Sequence, residues 1–266
     1  MFSFKNKVVW LTGASSGIGE ALTYELSKRG ARLIISARRK EELEKVKGNC
    51  DSSAQNNIKL LPLDLAAADT LLLSVEAAIQ AFGHVDVLIN NGGISQRSLA
   101  METSLEVDRR IMEVNYFGAI ALTKYLLPHL IKQKGGHLAV VSSLTGKFGT
   151  PFRSGYAAAK HALHGFFESL RAELWKENIK VTIIAPGFIQ TTISVSALTG
   201  DGTQLNKMDD AQSNGMPVKK AAKKIADAIA KEKNEVYIGG KETLGVHIKR
   251  FFPGYFSKMI RKAKVR

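Results

Sequence analysis

Short apolar runs alternate along the 266 residues with longer stretches in which apolar positions recur at helical spacing. The runs at 8–11, 33–36, 58–63, 85–90, 137–142, 181–185 and 236–238 read as strands, and the stretches between them as helices. The longest helical stretches are 105–133 and 154–177. The strands are apolar throughout, which is the pattern of a sheet covered on both faces, and the strand–helix alternation specifies parallel pairing with crossover helices. The expected architecture is α/β, doubly wound, with about seven parallel strands in a single domain covering 1–266. Past Pro186-Gly187 a polar stretch at about 188–216 interrupts the alternation and reads as a mobile lid or a disordered insert.

Composition adds little to this picture. Hydrophobic residues make up 45% of the chain and charged residues 23%, ordinary for a globular domain, and no apolar run is long enough to span a bilayer. The first residues lead straight into a strand with no signal-peptide pattern, so the expected location is cytoplasmic. The one cysteine, Cys50, lies in a loop-like polar stretch with no metal ligands beside it, and no metal site is expected.

The net charge of +14 is unusual. Within the segment of about 245–266, Lys249, Arg250, Lys258, Arg261, Lys262, Lys264 and Arg266 alternate with Phe251, Phe252, Tyr255, Phe256, Met259 and Ile260, without one acidic residue from His247 onward. Two readings stand side by side: peripheral contact with an anionic membrane surface, or apolar residues packed over a cleft with the cations solvated.

The chemistry begins at Thr12-Gly13-Ala14-Ser15-Ser16-Gly17-Ile18-Gly19, between the first strand and a helix. Gly13 permits a sharp turn, Gly17 lets backbone approach a phosphate, Gly19 lets helix and strand pack closely, and the helix N-terminus offers free N–H groups to an anion. By itself this is an ordinary strand-to-helix turn. Tyr156 and Lys160, four apart on one helix face, are by themselves a solvated surface pair. They stand, however, with Ser143 at one strand end, Asn90-Asn91-Gly92-Gly93 at another, and Asn115 inside a helix.

Taken together these residues resemble the classical short-chain dehydrogenase/reductase family over essentially the whole chain, on a Rossmann-type fold. The resemblance implies that Tyr156 is the general acid or base at a substrate oxygen, that Ser143 hydrogen-bonds the same oxygen, and that Lys160 assists as a fixed charge lowering the phenol pKa. Asn115 would bend its helix and hold a water leading to Lys160. Cofactor contacts would come from Gly13, Ser15, Ser16, Gly17, Ile18 and Gly19; from Ser36, Arg38 and Arg39; from Asp64 and Leu65; from Asn91, Gly92 and Gly93; from Tyr156 and Lys160; and from Pro186, Gly187, Ile189 and Thr191.

The slot after the second strand holds Ala37 where a carboxylate would hold adenosine ribose hydroxyls, and Arg38 can meet a 2′-phosphate, which points to NADP(H). The alternative is that Arg38 and Arg39 merely begin a solvated helix, and that Asp64 is an acidic turn cap. Gly92 departs from the alanine common in such chains, and the lost methyl should loosen its loop slightly. A shorter likeness, at 196–202 with Met208-Asp209, is to a subgroup called member seven, which has membrane-associated relatives. It implies a lipophilic substrate, steroid, retinoid or acyl-chain like, carried as ketone or alcohol. Phe148, Phe152 and Phe188 could line its cleft or serve as plain packing. The family implies a homodimer or homotetramer through the two long helices, where Ala157, Ala158, Ala159 and Ala162 permit close approach or suit packing on the sheet. A cofactor-binding regulator on the same fold is the rival function, although the basic charge follows no nucleic-acid motif and no nucleic-acid partner is expected.

Overall fold

A computed structural model of the chain describes residues 2–263; Lys264 and Arg266 of the basic end lie outside them. Seven parallel strands, β1 Val8–Thr12, β2 Arg32–Ser36, β3 Ile58–Leu60, β4 Val87–Asn90, β5 Gly136–Val141, β6 Ile179–Pro186 and β7 Glu235–Ile238, run in the order β3-β2-β1-β4-β5-β6-β7. Leu11 of β1 pairs with Ile35 on one side and Ile89 on the other. Strand order therefore reverses between β1 and β4, and the crevice outside their carboxyl ends is where such sheets bind ligands.

Alternate strand residues feed two cores. Val9, Leu11, Leu33, Ile35, Val87, Ile89 and Val141 face helices α1 Gly17–Lys28, α2 Lys40–Gly48 and α9 Val218–Ala230. Val8, Trp10, Ile34, Leu88, Leu138 and Val140 face α4 Leu71–Phe82, α6 Gly118–Lys132 and α7 Ser154–Glu173. Burial on both faces is what makes these strands read as unbroken apolar runs. A short helix, α3 Ser52–Gln55, precedes β3. Cys50, on a bend after α2, is buried and donates to the Val46 carbonyl.

Three elements differ from the sequence expectation. The third strand stops at Leu60, although Leu61 and Leu63 still donate to Ile35 and Ala37; Pro62 between them falls on the outer side of this edge strand, where a missing N–H breaks no ladder bond. The stretch 105–133 is no single helix: α5 Leu105–Met112 passes into a π-turn, Glu113–Phe117, and then into α6. The widened turn carries Asn115, whose amide leaves the helix to donate to Ile94 O at 2.9 Å and accept from Ile94 N at 2.8 Å. The polar stretch after β6 is folded onto the body, through a 3₁₀ turn at Thr192–Ser194, the short α8 Asp210–Ser213, and backbone bonds from Leu198 N to Ser95 O and from Arg97 N to Leu198 O.

At the basic end, α10 Leu244–Phe251 and α11 Pro253–Ile260 fold back over the carboxyl edge of the sheet. Phe256 packs on Phe148, ring centroids 5.1 Å apart, with Leu144 and Ala185. Phe251, Phe252 and Tyr255 remain about two-thirds exposed. The segment thus divides its aromatics between the cleft and solvent. Among the described residues no helix is long and apolar enough to cross a membrane.

Candidate active site

The carboxyl ends of the strands open into one cleft of about 1860 Å³. Its first wall is the glycine turn. Gly13 and Gly17 have φ of +66° and +57°, a left-handed conformation that glycine adopts without strain, and a Cβ on Gly13 would lie 2.6 Å from the Gly92 Cα. Ser16 caps α1 in extended conformation, and its hydroxyl makes no capping bond. The first-turn N–H groups of α1 are thus left for an anion at the positive end of the helix. Gly19 does not line the cleft: its Cα packs against the Gly13 carbonyl, and this holds helix to strand.

Gly13, Ser15, Ser16, Gly17 and Ile18 line the cleft, as do Ser36, Arg38 and Arg39 at the end of β2, with Asp64 and Leu65 beside them. Across from these lie Asn91, Gly92 and Gly93, and farther along Pro186, Gly187, Ile189 and Thr191. The arc of the cleft, the donors at α1 and the guanidiniums at β2 suit an elongated phosphate-bearing dinucleotide. Beside Gly92 the Leu65 Cδ1 atom fills the position a methyl would take, and would lie 2.6 Å from a Cβ there.

At the other end, Tyr156, Lys160 and Ser143 share the cleft wall. Tyr156 opens α7 and Lys160 follows one turn on; the Lys160 Nζ lies 5.6 Å from the phenol ring centre and donates to Val141 O at 2.9 Å. Burial pushes the Lys160 ammonium down to about 8. Burial also raises the Tyr156 phenol, while Arg153, the Ser143 hydroxyl and Arg97 act in the opposite sense. Ser143 accepts from Thr145 N and donates weakly to Pro186 O. Asn115 stands behind this wall rather than on it, fixing the Ile94 backbone beside Gly93.

Three residues not singled out in the sequence, Gln96, Arg97 and Arg153, complete the site together with Asp209, which the sequence marked only as part of a likeness. The side chain of Gln96, fully buried, accepts from Gly155 N at 2.9 Å and Tyr156 N at 3.3 Å, capping α7 from outside its own chain segment. Arg97 and Arg153 converge on Asp209 of the folded-over segment, at 2.6 and 3.4 Å. The one signal for them in the sequence is an arginine three residues before the tyrosine, which any solvated helix start could carry. Phe148 and Phe188 line the cleft; Phe152 does not.

Fold and cleft together define a doubly wound α/β protein with a glycine turn at a helix N-terminus facing a tyrosine–lysine–serine wall. Residues 7–201 match the short chain dehydrogenase family. The chain is 40% identical over 260 residues to dehydrogenase/reductase SDR family member 7B of Mus musculus, covering 96% of this chain and 80% of the mouse protein. A short chain dehydrogenase/reductase from Burkholderia phymatum, solved with NAD, superposes at TM-score 0.83 with 20% identity, over 100% of this chain and 99% of that one. A Burkholderia cenocepacia short chain dehydrogenase solved with NADP gives 0.80 with 24% identity, over 99% and 100%. The chain belongs to the short-chain dehydrogenase/reductase family and is an oxidoreductase of that family.

Proposed function

We propose that the chain is an NADP(H)-dependent oxidoreductase interconverting a carbonyl and an alcohol on a small lipophilic molecule, steroid, retinoid or acyl-chain like. The observation that carries this reading is the placement of buried Tyr156 and Lys160 and half-buried Ser143 in one wall at the far end of the same cleft as the glycine turn. The first-turn N–H groups of α1 would hold the pyrophosphate, Arg38 with Ser36 and Arg39 the 2′-phosphate, Asp64 the adenine amino group, and Lys160 the nicotinamide ribose. The bound nicotinamide supplies or takes up the hydride. In reduction the Tyr156 hydroxyl gives its proton to the substrate oxygen, and Ser143 donates to the same oxygen, so charge developing there meets two preplaced donors. In oxidation Tyr156 takes the proton back. Phe148, Phe188 and Phe256 supply the apolar surface a lipophilic substrate needs.

NADPH consumption against a panel of hydrophobic ketones, compared with NADH, tests this. Tyr156→Phe should bind NADPH and lose nearly all turnover; near-normal turnover would overturn the role of Tyr156, and a preference for NADH would overturn the cofactor assignment. The exposed Phe251, Phe252 and Tyr255 beside Lys249, Arg250 and Lys258 support peripheral contact with an anionic membrane; equal recovery of the full chain and a chain ending at residue 245 on anionic liposomes would remove it. Exposed Tyr125 of α6 and Ala158 of α7 support a homo-oligomer through those helices, which sedimentation tests.

A further inference from the structure

Strand β7 ends at Ile238, and the chain leaves the sheet through Gly239-Gly240 into a 3₁₀ turn, Lys241–Thr243, that leads into α10. From that turn the Glu242 side chain reaches back toward the sheet. Its Oε1 accepts from the Gly240 N–H at 3.0 Å and from the Phe188 N–H at 3.1 Å. Glycines make room for the carboxylate: a Cβ on Gly187 or Gly239 would collide with Oε1, and one on Gly240 would lie 2.9 Å from Oε2. Neither Gly187 nor Gly239 has a positive φ, so what they supply is space. The Phe188 N–H belongs to the turn Pro186-Gly187-Phe188, which is held at every other point as well. Ser143 Oγ donates to Pro186 O at 3.4 Å, Gly187 N to Ile238 O at 2.8 Å, and Met216 N to Phe188 O at 2.8 Å. Gly187, Phe188 and Glu242 line the cleft, and the bond from Ser143 places their turn at the tyrosine–lysine–serine end.

We propose that Glu242 is a positioning residue for the nicotinamide half of the cofactor: its carboxylate holds the Pro186-Gly187-Phe188 turn in the shape against which that half binds. This rests on the reading of the cleft as a dinucleotide site. Pairing between β6 and β7 ends at Pro186 and Ile238, and just beyond it the two chains part. Glu242 spans the gap, because one oxygen takes an N–H from the chain after β6 and another from the chain after β7. A charged acceptor makes these bonds stronger than a neutral one would. A wall already in its bound shape leaves a ligand little to order, whereas a turn freed at Phe188 gains motion that binding must take away again. The adenine half would meet Ser36 and Arg38 at the end of β2, and β1, β4 and β5 stand between that strand and β6. Loss of Glu242 should therefore be felt by one half of the ligand and not by the other.

Calorimetric titration with NADPH and with adenosine 2′,5′-bisphosphate, which carries the adenine and the 2′-phosphate but no nicotinamide, measures this split without substrate or turnover. In Glu242→Ala the NADPH Kd should rise about tenfold, as expected for the loss of a bond to a charged acceptor, while the bisphosphate Kd stays within about twofold of the wild type. Glu242→Gln keeps an acceptor oxygen and should hold the NADPH Kd within about threefold. If the wild type prefers NADH, then NADH and ADP replace the pair, so a wrong cofactor assignment and a wrong role for Glu242 give different results. A wild type that binds none of the four removes the dinucleotide reading and the role of Glu242 with it. Thermal melting shows that each variant is folded. Should Glu242→Ala fail to fold, Gly239→Ala is read the same way, because its methyl displaces the carboxylate from a position that does not line the cleft. A folded variant with lowered Tm but an unmoved NADPH Kd, or with equal losses for both ligands, would make Glu242 a structural clasp between the ends of β6 and β7 and overturn the proposal.

Discussion

The Lys160 ammonium donates to the backbone carbonyl of Val141, the last residue of β5, at 2.9 Å. That single bond ties α7 to the strand whose next turn presents Ser143, and it holds a charge where little water reaches. The folded protein releases this proton at about 8, while the free side chain holds it to 10.5. The penalty is therefore full below about pH 8 and is relieved as pH rises toward 10.5. Its size is on the order of 3 kcal/mol, of which the stranded Val141 carbonyl would return about 1 to 2 in a variant lacking the ammonium. Lys160→Met should therefore melt above the wild type at neutral pH by about 1 kcal/mol or more, lose that advantage in alkali, and turn over at least about a hundredfold more slowly. Melting curves at neutral and alkaline pH, beside NADPH turnover, check this; a variant less stable than the wild type at neutral pH contradicts it.

Gln96 accepts from the backbone N–H of Tyr156 and donates to Thr103 Oγ1 at 2.8 Å. Gln96→Leu strands two N–H groups of α7 in a buried place, with an expected loss of about 2 kcal/mol. Because one of them belongs to Tyr156, kcat should fall with little change in KM even well below the melting temperature. Gln96→Glu keeps the acceptor and should restore most of kcat. Denaturant titration and steady-state kinetics together decide whether the cap only stabilises the helix or also aims the phenol.

The residues legible in the sequence are those whose chemistry imposes local spacing. A turn that meets phosphate needs its glycines within one loop, and two side chains on one helix face lie three or four apart, so Gly13, Gly17, Tyr156 and Lys160 are legible in the chain once they are taken together. Asn115 and Gly19 are legible as important, but each works from behind the wall. Gln96, Arg97 and Asp209 are not legible, because their partners lie 59 and 112 residues away in sequence, and Ser95-Gln96-Arg97-Ser98 reads as polar loop although all four are buried. Helical spacing likewise cannot show the π-turn at Glu113–Phe117, whose stabilising bonds run to Ile94.

His137 is buried in β5 with Thr182 Oγ1 at 2.8 Å, and burial brings its pKa down to about 4. Between about 6.5 and 4 the unfolded chain takes up a proton that the folded protein refuses, so stability is present above this window and is lost as pH falls through it. Replacing both partners, His137→Leu with Thr182→Val, leaves no polar group stranded. The double variant should resist acid better than the wild type, by on the order of 2 to 3 kcal/mol near the bottom of the window. Chemical denaturation at neutral pH and at the acid end measures the difference. Equal acid losses in the two proteins would show that other groups set the acid limit.

Gly92 and Leu65 divide between them a space that one methyl group could occupy. A Cβ on Gly92 would lie 2.6 Å from Leu65 Cδ1, too close for both to stay, but the atom in the way is the tip of a flexible side chain. Gly92→Ala should therefore fold, at a cost of about 1 to 3 kcal/mol as Leu65 is forced into a poorer rotamer. Leu65 lines the cleft beside Asp64, so its displacement should weaken NADPH binding as well as stability. Shortening the neighbour removes the conflict: in Gly92→Ala with Leu65→Val the two effects should be less than additive, with most of the stability and cofactor affinity regained. A double-mutant cycle by melting and by NADPH fluorescence titration reads the coupling. Additive losses would mean that the glycine is needed for its backbone freedom, and that its neighbour is a bystander.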